Sequence, residues 1–145
     1  MVKNRLRTKD LGRRTDNYFR LIDANLNRCR EGLRVVEDTA RFILEEEKIY
    51  KQIRSLRHKL EGLTRDIYPE LLRNRDSIND SGRAIKEGKR KSIREVLIAN
   101  FKRAQEALRV LEEYGRLISP SAGAGFKKIR YGVYNIEKIM LKDFK

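Results

Sequence analysis

Residues 24–43 read ANLNRCREGLRVVEDTARFI, and residues 99–118 read ANFKRAQEALRVLEEYGRLI. Aligned without a gap, Ala24, Asn25, Arg28, Glu31, Leu33, Arg34, Val35, Glu37, Arg41 and Ile43 face Ala99, Asn100, Arg103, Glu106, Leu108, Arg109, Val110, Glu112, Arg116 and Ile118. The likeness resumes downstream, where Tyr50, Lys51, Ile53, Arg54, Leu60 and Glu61 match Phe126, Lys127, Ile129, Arg130, Ile136 and Glu137. A repeat of this length marks a duplicated supersecondary unit. A shared core accounts for the apolar matches. It does not account for the Asn, Arg and Glu that the copies also keep.

Outward from the repeat, the periodicity is helical throughout. Asp16 reads as an N-cap, after which Ile22, Leu26, Cys29, Leu33, Val36, Ala40 and Ile43 recur in steps of four and three, giving one apolar face. Gly32 and Gly115 are aligned with Ala107 and Ala40, so both positions are small in both copies and suit close helix approach. A second stripe runs through Ile49, Ile53, Leu56, Leu60, Leu63 and Ile67, and Pro69 is expected to end it. Residues 69–91 lose the periodicity and read as one long loop. Ser92 and Glu95 have capping-box spacing before the stripe of Leu97, Phe101, Ala104, Leu108 and Leu111. Pro120 and the glycines that follow read as a connection. A last helix is expected from about Gly125 to Leu141, with Phe126, Ile129, Val133, Ile136 and Met140 inward. The expected fold is all-α. It is a four-helix bundle of two duplicated hairpins, 16–67 and 92–141, related by a pseudo-twofold axis. Residues 1–15 read as a basic, poorly ordered arm on a single domain covering 16–145.

The 145 residues are 39% apolar and 39% charged, with a formal net charge of +14. That balance implies anionic partners, among them phosphorylated small molecules, nucleic acid or an acidic protein. The lone cysteine excludes an internal disulfide, and Cys29 falls on the apolar stripe as a buried small hydrophobe. The basic start lacks the apolar run of a signal peptide, and no stretch approaches membrane-span length, so a cytoplasmic protein is expected.

Helical spacing places Asn25, Arg28, Gly32 and Val35 along one flank of the first stripe, with Glu31 beside Arg28. Asn100, Arg103, Ala107, Val110 and Glu106 repeat this, and Arg34 and Arg109 line the opposite flanks. A twofold axis would bring both Asn/Arg/Glu sets to one groove. Paired guanidiniums there suit phosphate, which a rigid fork of donors binds bidentately. Glu31 and Glu106 would orient those arginines or hold Mg²⁺ through water. The competing reading is a surface of salt bridges at helical spacing. Arg73, Arg75 and Arg83 share the 73–83 stretch with Asp76 and Asp80, a composition suited to closing over a metal-bound polyphosphate. The lone histidine, His58, reads as a surface residue or a substrate contact. No second His or Cys exists for a zinc site.

The runs DANLNRCREGLRVVEDTARF, ANFKRAQEALRVLEEYGRL and FKKIRYGVYNIEK, taken in order, resemble the N-terminal helical domain of some bacterial thiamine-phosphate synthases, cyanobacterial ones in particular. That domain also occurs as a free-standing protein. The resemblance covers about Asp16 to Leu141; it departs at Cys29, where the family has Ala, and at Ser92, where an acidic residue is expected. It implies a phosphomethylpyrimidine kinase, unrelated in fold to the ribokinase-like enzyme, that moves a phosphoryl group from Mg-ATP to hydroxymethylpyrimidine phosphate. Arg28, Arg103, Asp76 and Asp80 would then be catalytic. Asn25, Asn100, Arg34, Arg109, Arg75, Arg83 and His58 would contact substrate, and Glu31 and Glu106 would serve the metal. Such an acceptor already carries an anionic oxygen, so catalysis would rest on positioning and charge neutralisation.

The alternative is a non-catalytic helical partner domain of thiamine-phosphate synthase. The synthase reaction itself is not expected, because that enzyme's barrel needs roughly 200 residues or more. A basic RNA- or DNA-binding bundle is disfavoured, since Glu31 and Glu106 interleave with the arginines and would repel a polyanion. The sequence leaves open whether the chain forms a homo-oligomer.

Overall fold

The computed structural model describes residues 2–142 and 144, with side chains from Asp16 onward. The order is α1 (Val2–Asp38), a π-helical turn (Thr39–Ile43), α2 (Glu47–Thr64), a 3-10 turn (Arg65–Ile67), α3 (Tyr68–Asn74), α4 (Ile93–Ile118) and α5 (Pro120–Leu141). No strand occurs among the described residues. The four long helices form the expected all-α bundle, with α1 against α4, α4 against α5, and α2 bridging α1 and α5. The short α3 packs on α1.

The duplication is visible in how the helices meet. Gly32 lies against the Asn100 carbonyl and Ala104, and Tyr18 packs at a tilt against Tyr114 with ring centroids 5.9 Å apart. Helices α1 and α4 therefore run antiparallel. Their matched residues Cys29 and Ala104, both fully buried, sit level at the crossing. Likewise Gly132 of α5 lies on its matched residue Leu56 of α2, and Gly125 lies on Leu63. Matched positions meeting in both pairs define a local twofold axis through the bundle. A side chain at Gly32 would place its Cβ 2.9 Å from the Asn100 backbone oxygen, which explains the small residue in a helix interior.

The core follows the predicted stripes, and Leu33, Val36, Leu60, Leu97, Phe101, Leu108 and Phe126 are all buried. Each contributes roughly 1.5–3 kcal/mol by leaving water. Cys29 is among them, and burial pushes its thiol up to about 12. At pH 8 its thiolate fraction is then on the order of 10⁻⁴. Thiol-reagent labelling of the native protein is accordingly expected to be at least about a thousandfold slower than in denaturant. Equal rates would place Cys29 outside the core.

Four expectations are corrected. First, α1 continues back to Val2, so Asp16 is interior rather than a cap, and residues 2–15 continue the helix instead of forming an arm. Residues 2–15 hold no proline and many lysines and arginines, which favour helix; Met1 lies outside the described residues. Second, Ile43 is 57% exposed. The π turn inserts an extra residue, with Leu44 N–H bonding to the Thr39 carbonyl at 3.0 Å, and rotates Phe42 and Ile43 off the stripe. Third, Pro69 lies in the first turn of α3 rather than ending α2, and the irregular stretch starts only at Arg75. Fourth, Pro120 begins α5 and leaves Ser119 as the whole connection. Proline suits a first turn, where its missing N–H has no intrahelical partner anyway. The Ser92 cap holds, with Glu95 N–H donating to its Oγ at 3.1 Å, while the Glu95 carboxylate accepts from Lys91 N–H.

After the π turn, Glu45 takes a φ of 54°, in the left-handed region where side chains are strained. Glu45→Gly is expected to raise stability by about 0.5–1 kcal/mol, read from the urea midpoint. A lower midpoint would mean that the Glu45 side chain holds the turn.

No helix among the described residues is long and apolar enough to cross a membrane.

Candidate functional site

The matched asparagines are built identically. Asn25 Nδ2 donates to the Leu21 carbonyl at 2.9 Å, and Asn100 Nδ2 donates to Val96 at 2.8 Å. Each amide is thus anchored one turn back on its own helix. In the first copy the Asn25 oxygen accepts from Arg28 Nη1 at 3.5 Å.

Arg28 lines a cleft of about 280 Å³ between α1 and the chain after α3. Arg20, Asp23 and Glu31 line it from α1, and Arg75, Asp76 and Asp80 from the loop. Its hinge is a bidentate pair. Arg75 Nε and Nη2 each donate to Asp23 at 2.8 Å, and Asp23 is only 4% exposed. Arg20 Nη2 donates to the Asp76 carbonyl at 3.1 Å, so the loop is tied to α1 twice. The bond to Asp23 raises the Arg75 guanidinium above its ordinary value, so it stays charged.

The two loop aspartates hold turns. Asp76 accepts from the Asn79 backbone at 3.1 Å and its side-chain amide at 2.9 Å, which lowers its carboxyl below the ordinary range. Asp80 Oδ1 accepts from Gly82 N–H at 2.8 Å. Side chains bonding two or three residues on are typical turn builders.

The second copy does not share this cleft. Arg103 is exposed and faces Glu87 at 3.9 Å; Asn100, Glu106 and Arg109 line no part of the cleft, nor does the exposed Arg83. Of the two matched sets, only Arg28 and Glu31 of the first line this cleft. The insertion 68–91 follows only the first hairpin; its 75–80 stretch lines that copy's cleft, and its Glu87 meets Arg103 of the second. Arg34 and Arg109 are engaged elsewhere. Arg34 pairs with Glu37 and Asp38, and Arg109 with Glu112 and Glu113. Arg34 borders a neighbouring groove of about 600 Å³ with Arg30 and Arg57. His58 sits on the outer side of α2 in a shallow basic groove with Lys51, Arg54, Ser55 and Lys59, away from the cleft. Among the described residues no three His, Cys, Asp or Glu side chains gather closely enough to hold a metal ion, Glu31 and Glu106 included.

Sequence reasoning missed Asp23 and Arg20 as parts of the site. The signal was a mismatch between copies. Asp23 aligns with Ile98, and Arg20 with Glu95, so the first copy alone acquired the groups that tie down the loop.

The fold and cleft define an all-α domain with a polar cleft built on a duplicated scaffold. Residues 20–139 match the ThiD2 family, and the chain belongs to it. It is 48% identical over 121 residues to a thiamine-phosphate synthase of Synechococcus sp. (strain CC9605), covering 81% of this chain and 34% of that protein. Against the thiamine-phosphate synthase of Synechocystis sp. (strain ATCC 27184 / PCC 6803 / Kazusa), identity is 45% over 125 residues, covering 84% and 36%. Against that of Nostoc punctiforme (strain ATCC 29133 / PCC 73102) it is 41% over 126 residues, covering 85% and 35%. The chain therefore spans about a third of the length of these relatives. No solved structure matches. The kinase expectation is corrected by these relatives. Proteins 41–48% identical over most of this chain are named thiamine-phosphate synthase, not phosphomethylpyrimidine kinase.

Proposed function

We propose that this chain acts in thiamine biosynthesis as a non-catalytic helical partner domain of thiamine-phosphate synthase. The carrying observation is the pattern of coverage. Four-fifths of this chain is alike to proteins of that name, yet it corresponds to only a third of each. In this reading the Arg28 cleft holds an anionic ligand of the partner. Arg28 and Arg20 face the cleft from α1, and guanidinium forks bind phosphate esters bidentately. Arg75 is committed to Asp23 and shapes the cleft instead of contacting the ligand.

The test mixes the purified chain with separately produced thiamine-phosphate synthase in sedimentation velocity, alongside a measurement of thiamine phosphate formation. Interfaces between domains of one chain resemble transient ones, so a dissociation constant on the order of micromolar is expected, with a changed synthase rate. No association up to about 100 μM, together with an unchanged rate, refutes the reading.

A further inference from the structure

The charges of the bundle are sorted by layer. On α1 and α4 the exposed arginines alternate with acids, as in Arg34 with Asp38 and Arg109 with Glu113. The outer faces of α2 and α5 carry fewer such pairs, Lys51 with Glu47 being one. These helices lie side by side, held by Leu56 on Gly132 and Leu63 on Gly125. On α5, Lys127, Tyr131, Tyr134 and Lys138 follow at helical spacing and are all exposed. Arg54 and Lys59 are exposed on the neighbouring helix. Among the described residues none of these four cations forms an ion pair. The one acid of α5, Glu137, turns inward to accept from Gln105.

The tyrosines supply the second element. Tyr131 and Tyr134 are 54% and 41% exposed, and their rings meet edge to face at 6.0 Å. Arg130, anchored on the buried Glu112, lies 5.2 Å and 5.7 Å from the two ring centroids and holds the pair against the helix. Neither ring fills the core. An aromatic platform flanked by unpaired cations matches a single strand of nucleic acid, whose bases stack on the rings while its phosphates meet the cations. Lys127 and Lys138 are about 16 Å apart along the helix, room for several phosphates. The glutamates that argue against a polyanion on the first-copy flank, Glu31 and Glu106, lie on the other layer and do not oppose it here.

We propose that the outer face of α2 and α5 binds single-stranded nucleic acid. This surface is separate from the Arg28 cleft and does not depend on the partner-domain reading. The test is fluorescence anisotropy of the full chain with labelled mixed-sequence single-stranded RNA, single-stranded DNA and duplex DNA across a salt series. Single strands are expected to bind more tightly than duplex. The log–log salt slope should be about −3, near −0.7 for each of the four cations. Tyr131→Ala should weaken single-strand binding about tenfold with little change in slope. Lys127→Gln and Lys138→Gln should each reduce the slope by about 0.7. The RNA and DNA arms show which strand is preferred, and tighter binding of either single strand than of duplex supports the proposal. It is overturned if no single strand binds at low salt, if duplex binds as tightly, or if Tyr131→Ala binds normally. It is equally overturned if binding follows Arg28 instead of these residues. Capture of an acidic protein in place of either strand would reassign the face to protein docking.

Discussion

Replacing Glu112 with alanine is expected to lower the free energy of unfolding by about 3–5 kcal/mol, the range for removing one partner of a buried ion pair. Glu112 is 1% exposed, in the C-terminal half of α4. Its Oε2 accepts from Arg130 Nε at 3.0 Å, tying α4 to α5. Its Oε1 accepts from Arg116 Nη2 at 3.0 Å and Arg109 Nη1 at 3.3 Å. Alanine would leave the largely buried Arg130 without its anion and beside two other cations. Glutamine would keep the volume but turn an amide toward arginine donors, so Glu112→Gln should recover less than half of the loss. The matched Glu37 provides an internal comparison. It pairs with Arg57 at 2.8 Å and Arg34 at 3.7 Å, and Arg57 has Glu61 in reserve at 3.7 Å. Glu37→Ala should therefore cost less, about 2–3 kcal/mol. Urea unfolding at constant m reads both. A Glu112→Ala variant within about 1 kcal/mol of the parent, or a costlier Glu37→Ala, would show that this network is not what joins the hairpins.

That comparison also shows what was legible. The apolar residues read as the stripes of α4 and α5 are buried, because apolar periodicity states directly which face must leave water, although Ala107, read as a flank position, is buried with them. The duplicated polar flank was legible as a pattern but not as a role. Arg30 with Glu61 and Gln105 with Glu137 are the same tie made twice, so part of the polar likeness between copies is hairpin cross-linking. The copies diverge where local geometry does. Arg41 aligns with Arg116, yet the π turn carries it onto the Phe42 and Tyr50 rings, at 4.8 Å and 5.4 Å, instead of onto Glu37. Arg54 aligns with Arg130, yet Arg57, a turn further along α2, is the residue that reaches Glu37. A π turn has no strong sequence signature, so neither shift was readable beforehand. The cleft was half legible. Arg28, Arg75, Asp76 and Asp80 stand out in the sequence and do meet. Arg103, Asn100 and Glu106, their expected partners, do not line that cleft; Arg103 meets Glu87 of the same loop instead.

The second large effect concerns the loop that closes the cleft. Arg75→Ala is expected to cost about 2 kcal/mol, below the value for a fully buried pair because Arg75 itself is 38% exposed and partly screened. The cost falls on Asp23, which would stay buried with only the Asn27 amide, at 3.4 Å, as a neighbouring donor. Asp23→Ala should cost less, since the freed Arg75 can turn to water. Such asymmetry identifies a buried carboxylate as the vulnerable partner. The loss should be local first. Helix α3 is one short helix whose only buried residue is Leu71, so it depends on the clamp at its C-terminal end. Hydrogen exchange of the α3 amides and of residues 75–77 should accelerate about thirtyfold in Arg75→Ala, the factor that 2 kcal/mol implies for a local opening. Exchange in α4 and α5 should stay unchanged. Arg75→Lys keeps the charge but loses the two-pronged geometry, and should fall between. If α3 exchange is unaffected by Arg75→Ala, the loop is held by Leu71 and the Arg20 contact alone. The cleft floor would then be independent of its only bidentate pair.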